Sequence, residues 1–518
     1  MSRLTNRPEI FPSIYVEATQ NNTERVKTLE AGILSTVGYM GWGNPHYPLN
    51  VVKAPYVAKG KDYASLSTSV YQQDLLAMGI ADYFNEYQGR VLVARLLGAD
   101  STVNVISVTD ATTLTKKALL GTVPIFDGSL DSWLSTTGTD PLEIALTICP
   151  TDIVRVQVTL DDKEDVSIKV FDGLNSLLYA VKGSAVKGTL DAYQESRYIG
   201  DLADPKVLMV KIDETPFLAL GAFSVLNTIS DVTVDTGVIN TAHVSALLHS
   251  MAKKSDYMVV NTHLDDTVLL EAIKAKDNAT VPLVLGVQAY STVAGITVDT
   301  LDTKVTTLGL IDDPFATVIS ARTTNSSVLD LESRGVEFWF AGRNVARNIQ
   351  GKKGRAERRV SGVAGINHAI PRAFKIEQSD LTRDEKIAFT EARINTTEDF
   401  LGALCLTDVL SADRAETALK SFPVADGLSF IKKTVGQYLD SQMFKNIQVA
   451  KGFVEDNTRV LFEHCQANGY FDADAGDEAW KFEVYDENGD TVVVDFEYVP
   501  EGVMRLGAVR STISKKLN

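Results

Sequence analysis

Along this 518-residue chain the spacing of apolar positions changes character several times. Ile33-Leu-Ser-Thr-Val-Gly-Tyr-Met40 and Arg90-Val-Leu-Val-Ala-Arg-Leu-Leu97 are short, nearly continuous apolar runs, the pattern of strands covered on both faces. Between them Leu76, Ile80, Phe84 and Tyr87 recur at helical spacing, which predicts a helix over Asp74–Tyr87 stopped by Gly89. This strand-helix-strand order opens an α/β layer. From about Ser101 the period shortens to two and Thr, Ser, Asp and Gly become common. Ile153–Leu160 and Val166–Phe171 flank Asp161-Asp-Lys-Glu-Asp165 and predict a hairpin. Buried-strand runs then return at Val207–Lys211, Tyr257–Asn261, Val281–Gly286, Ala316–Ser320 and Val336–Phe340, with helices expected over Thr241–Lys254 and Asp266–Lys276.

The last third changes again. Ser361-Gly-Val-Ala-Gly-Ile-Asn367 is a small-residue joint. Thr382, followed three residues on by Glu385, has the form of a capping box opening a helix. Further helices are predicted from about Leu428 to Phe444 and from about Asp456 to Asn468, where Asn468-Gly469 stops the second. Trp480–Tyr485 and Thr491–Tyr498 flank Asp486-Glu-Asn-Gly-Asp490, whose Asn-Gly pair suits a tight hairpin turn. Both ends of the chain look extended. Ile10–Ala18 contains Pro12, which fits an edge or isolated strand, and precedes the polar linker Thr19–Thr23. Gly502–Asn518 runs on with no turn to bring it back.

The pattern therefore divides the chain into an N-terminal arm and linker (1–24), a discontinuous α/β middle domain (25–100 plus 205–360), an inserted, mainly β outer domain (101–204) and a C-terminal α+β domain with its arm (361–518). The fold class is multidomain α+β and α/β.

Composition narrows the function. A mean hydropathy near zero describes a soluble globular chain, and a net charge of −17 argues against a nucleic-acid partner, which needs clustered cations. Cys149, Cys405 and Cys465 are far apart and fit buried thiols in a reducing compartment. No apolar run reaches membrane-spanning length and the N-terminus lacks a signal-peptide pattern, so synthesis in the cytoplasm and no direct membrane insertion are expected. Phosphate loops, a nucleophile elbow and a zinc helix motif are all missing, so no catalytic residue, cofactor or metal is assigned. His243 and His249 lie six apart on one predicted helix and do not share a face, and His464 adjoins Cys465 without converging on it. Asp472-Ala-Asp-Ala-Gly-Asp477 with Glu483 has the outer spacing of a calcium loop but exchanges the glycine and aspartate that such a loop requires. One basic cluster stands out: Arg343, Arg347, Lys352, Lys353 and Arg355, continued by Arg358 and Arg359. In so acidic a chain it fits contact with an acidic neighbour as well as it fits a solvated loop.

The order of motifs resembles the contractile tail sheath family of phages and phage-tail-like particles. Phe11-Pro-Ser-Ile-Tyr-Val-Glu17 is similar to the opening of such sheaths, with Ser13 in place of a glycine. Ser379-Asp-Leu-Thr-Arg-Asp-Glu385, the following helices, the hairpin and the arm resemble their C-terminal domain. The resemblance implies a structural subunit and no enzyme. Copies would form hexameric rings stacked helically around a tail tube protein, between baseplate and tail terminator or neck proteins, and contract to drive the tube through a cell envelope. It also implies a place in the virion tail after assembly in the host cytoplasm. Strand exchange between subunits would then involve Ile14, Tyr15 and Val16 of one arm, Leu506 and Val509 of the other, and the hairpin residues Val492, Val493 and Val494. Lys432, Lys433 and Lys445, on and after the second C-terminal helix, would face the tube. The competing expectation is a cytosolic α/β enzyme with a β insertion.

Overall fold

Seven strands share the central sheet, in the order Ile394–Asn395, Ala316–Ile319, Leu283–Gly286, Tyr257–Asn261, Ile33–Gly38, Arg90–Arg95, Leu49–Val51. All neighbours run parallel except the last, which is antiparallel to Arg90–Arg95. The computed structural model describes residues 32–500 apart from 41–42, 52–74, 112, 117–121, 139, 149–153, 172–174, 176, 230–237, 263, 280, 288–296, 321, 326–333, 351–368, 371–373, 377–381, 401–402, 416, 468 and 490.

Alternation along each strand sends side chains to two faces, and both are covered. Ile33, Val37, Met258, Val260, Leu283, Leu285 and Val318 meet the helices Thr241–Ala252, Asp266–Ala279 and Val298–Thr307. Leu34, Val91, Val93, Tyr257, Val259 and Val284 meet the helices Leu75–Glu86 and Glu337–Gln350 and the start of a long helix at Phe422. A sheet apolar on both faces produces the continuous apolar runs in the sequence.

One of those runs is not a strand. Val336–Phe340 was expected to add to the sheet, but Glu337–Gln350 is a helix. Four apolar residues around a single Glu337 cannot distinguish a buried strand from a helix that is buried nearly all round. Continuing the count to Ala341, Val345 and Ala346, all buried, exposes the helical period. The helix lies against Leu75–Glu86, and Phe338 occupies the space that a side chain at Gly79 would need.

The β-rich stretch forms two antiparallel sheets. One orders Leu177–Ser184, Asp165–Phe171, Val154–Leu160 and Phe223–Ile229; the other orders Met209–Ile212, Leu142–Ala145, Thr102–Asp110 and Thr113–Lys116, with Thr122–Pro124 also on Thr102–Asp110. Ile106, Ile144, Val156, Ile168 and Val225 share one core between them. Val207–Lys211 was expected in the α/β layer. The strand is Met209–Ile212 and it pairs with Leu142–Ala145, so the β-rich stretch runs past residue 204. Lys211 explains why: it is buried, its Nζ lies 3.4 Å from Glu143 and donates to the Trp133 carbonyl at 2.8 Å, and both partners belong to the β-rich stretch. At the other boundary, Ile394–Asn395 joins the central sheet from beyond residue 360.

In the last third the capping box forms as expected. Thr382 Oγ1 accepts from Glu385 N, and Glu385 accepts from Thr382 N, at the start of the helix Arg383–Glu391. The next two helices start earlier than predicted, at Phe422 and Ile447, and end at Ser441 and Ala467. Pro423 sits in the first turn of Phe422–Ser441, where a missing N–H costs nothing. The hairpin Trp480–Glu487 and Thr491–Tyr498 is fully in register. Gly489, with a positive φ of 80°, and Asn488, at 62°, make its turn.

Candidate assembly surfaces

The hairpin is a two-stranded sheet whose faces differ. Phe482, Val494, Phe496 and Tyr498 pack toward Ile431, Val435, Leu461 and Phe462 of the two long helices. Phe462 is the centre: its ring lies 5.4 Å from Phe471 and 5.5 Å from each of Trp480, Phe482 and Phe496. Such tilted pairs contribute about 0.5–1.5 kcal/mol each beyond their buried area. Trp480 Nε1 donates to Gln466 Oε1 at 2.8 Å and ties the hairpin to the helix below. Burial pushes the Tyr438 hydroxyl beside this cluster up to about 12.

The opposite face presents Lys481, Glu483, Glu487, Asp495 and Glu497 to solvent. Glu483 stands directly across from Asp495 in the register. Tyr485 Oη donates to Asp495 at 3.0 Å, and this bond is the largest of the causes that raise the tyrosine's pKa. Val492, Val493 and Val494 are half-buried, and no third strand flanks either side of the hairpin among the described residues. The expected donors of further strands, Ile14, Tyr15, Val16, Leu506 and Val509, lie outside the described residues.

The helix Phe422–Ser441 carries the lysines expected to face a tube, and they differ. Lys432 is exposed, with Nζ 5.5 Å from the centre of the Phe315 ring. Lys433 points inward: its Nζ donates to the Ser255 carbonyl and lies 3.9 Å from Asp256. Burial lowers its pKa, and the Asp256 charge opposes that shift. Lys445 lies exposed in the turn after the helix. Sequence reasoning missed two features here. Tyr257 Oη donates to Asp426 Oδ2 at 2.6 Å in a buried contact that joins this helix to the central sheet. The turn also shows Met443 and Phe444 to solvent, Phe444 with a φ of 65° that a bulky side chain seldom adopts. The available signal was a Met-Phe pair followed by Lys-Asn at a helix end.

Of the basic cluster, Arg343 and Arg347 fall among the described residues. Arg343 lies on the helix Glu337–Gln350 with Nη1 3.4 Å from Glu86, and Trp339 Nε1 donates to the other oxygen of Glu86 at 3.0 Å. Arg347 is on the same helix. Lys352, Lys353 and Arg355 lie outside the described residues. His243 and His249 serve different partners, as their spacing implied. His243 Nε2 donates to the Pro45 carbonyl, whereas His249 contacts Ser245 and Asn278. Cys405 and Cys465 are buried thiols.

No protein-family model and no curated protein matches the sequence. Among solved structures, the helical sheath of the anti-feeding prophage in its contracted state is similar over 97% of this chain and 98% of that one, with a TM-score of 0.51 and 10% identity. The fold is that of a contractile sheath protein. A sheath-complex chain of the extracellular contractile injection system PVC in the contracted state, and a chain from the anti-feeding prophage baseplate, match over 57% of this chain and 77% of theirs, with TM-scores of 0.42 and 0.40, both at 10% identity. The sheath fold thus accounts for the central sheet, the β-rich stretch and the terminal hairpin together.

Proposed function

We propose that this chain is the structural subunit of a contractile sheath, stacking in hexameric rings around a tail tube and contracting to drive the tube through a target envelope. The observation that carries this reading is a fold likeness that runs nearly the length of both chains. Work would come from the difference between two packings of the same subunits, as in other bistable assemblies of rigid bodies. The reading treats the central layer as the rigid middle domain, the β-rich sheets as the outer domain and the residues from 361 as the inner domain.

Linkage between subunits is assigned to the hairpin and the arms. An extended segment from a neighbour would add to either side of the hairpin through backbone hydrogen bonds, with side-chain alternation fixing its register. Lys432 and Lys445 remain candidates for the tube face. Lys433 is better read as an internal tether. Tail tube, baseplate and terminator proteins are the partners this role requires.

Electron microscopy of the purified full chain tests the reading. Long hollow tubes of stacked rings are expected; a discrete monomer or dimer at all salt concentrations would end it. Removing residues 1–18 should leave a folded protein that no longer forms long tubes, and normal tubes from that variant would remove the N-terminal arm from the linkage.

A further inference from the structure

Where the central layer meets the β-rich stretch, two imidazoles touch. His46 follows the strand Ile33–Gly38 on the loop that leads to Leu49–Val51, and His243 lies in the first turn of the helix Thr241–Ala252. Their ring centres are 4.8 Å apart at 81°, edge against face. Phe126, from the β-rich stretch, closes the triangle at 5.6 Å from His46 and 5.1 Å from His243. Each ring is held at Nε2 by a backbone carbonyl. His46 bonds Ile125 O at 3.0 Å, across the junction, and His243 bonds Pro45 O at 2.8 Å, on the loop that carries His46. A carbonyl only accepts, so both neutral rings carry their proton on Nε2. Three segments distant in sequence are thereby fastened at one point.

The surroundings of His46 oppose an added charge on its ring more than they favour it. Arg95, buried beneath the loop, donates to the carbonyls of Met40, Gly43 and Ile148 and is already a fixed cation there. Lys206 lies over the Tyr47 ring on the same loop. From the segment after Ile125, Asp127 accepts from Ser129 N, while Asp131 acts on His46 from the following helix and favours its charged form. His249, farther along the His243 helix, is bonded elsewhere. Burial and then His243 are the larger influences, and they hold the His46 pKa below the ordinary imidazole value.

We propose that His46 is the switch of a proton-operated latch: neutral, it clasps the β-rich stretch to the central layer against His243 and Phe126, and charged, it gives up that place and releases the stretch. The sign follows from linkage. A group that resists protonation in the closed form stabilises closure above the pKa of the open form, about 6.5 for histidine, and that stabilisation fades as pH falls. Neither histidine belongs to the large cores on either side, whereas Ile125 and Phe126 pack in the smaller core with Val123, Leu130 and Trp133, so release is expected at that edge of the β-rich stretch.

Amide hydrogen exchange of the full chain tests this, read at matched chemical exchange between pH 7.5 and pH 5. Exchange at residues 43–48 and 122–128 should rise about tenfold at low pH. Strands Tyr257–Asn261 and Val156–Leu160 should stay protected. In His46→Gln the low-pH rise should vanish. His243→Phe keeps the aromatic packing but removes the imidazole that opposes charge on His46 and should do the same, which guards against a folding defect in the first variant. Junction exchange that ignores pH in the unmodified chain would overturn the latch. So would a pH response that persists in either folded variant.

Discussion

The central sheet and the terminal hairpin both draw heavily on Val, and they end as opposites. The sheet is parallel and covered on both faces by helices. The hairpin is antiparallel, covered on one face and acidic on the other, with no flanking strand among the described residues. A sheet covered on both faces has no apolar face left to bury. A two-stranded sheet is marginal in water and stays ordered by the surface beneath it. Here that surface is the ring of Phe462. The contrast teaches that the two sheets are ordered by different means: one by helices on both faces, the other by helices beneath one face only.

The largest expected effect tests whether the two regions are independent. Phe462→Ala should cost about 3–5 kcal/mol at the hairpin, as aromatic truncations in cores do. Hydrogen exchange should rise across residues 480–498 while Tyr257–Asn261 stays protected. If both open together, they form one cooperative unit and the contrast collapses. Next comes the joint. Asp426→Ala leaves the buried Tyr257 hydroxyl without this acceptor and should cost about 2–3 kcal/mol. Urea unfolding should show the loss, with exchange rising in both regions; an effect confined to the helix Phe422–Ser441 would mean the contact does not couple them.

Smaller effects concern the surfaces. Lys432→Glu removes an exposed cation from over Phe315 and should lower stability by about 0.5–1 kcal/mol. It should also weaken assembly on a tube at low salt while sparing tube-free polymers. Assembly that is unchanged at low ionic strength would take this lysine off the tube face. The smallest effect has the opposite sign. Glu483→Lys replaces a like-charged cross-strand pair with an opposed one and should stabilise the hairpin by about 0.2–1 kcal/mol. A lower melting temperature for that variant would show that the acidic face is not a local burden.

Local signals were legible in the sequence and long-range ones were not. The capping box at Thr382, the Asn-Gly turn and the alternation of Trp480–Tyr498 all act within a few residues, and each is formed. Which sheet a strand joins depends on partners far away. Met209–Ile212 reads like a strand of the layer until Lys211 is seen buried against Glu143. Lys432 and Lys433 are adjacent and identical in the sequence. One is exposed and the other is drawn inward by Ser255 and Asp256, some 180 positions earlier. Nothing local to a helix carries that information. The aromatic cluster has a local trace in the helical spacing of Ile431, Val435 and Tyr438, but its centre, Phe462, becomes evident only when two helices and a hairpin converge.

The helix Phe422–Ser441 can also be considered as a mechanical part. Its 20 residues span about 30 Å. At one end Phe422 sits in the core of the layer and Asp426 accepts from Tyr257, the first residue of the strand Tyr257–Asn261. Toward the other, Ile431 and Val435 grip the hairpin cluster. A pull applied to the hairpin would therefore enter this helix as tension and leave it at a strand in the interior of the seven-stranded sheet. That strand has a parallel neighbour on each side, so the load would be shared among ladders of backbone bonds that must yield together. The helix is a strut between a handle and an anchor, and its stiffness sets how directly motion at one becomes motion at the other.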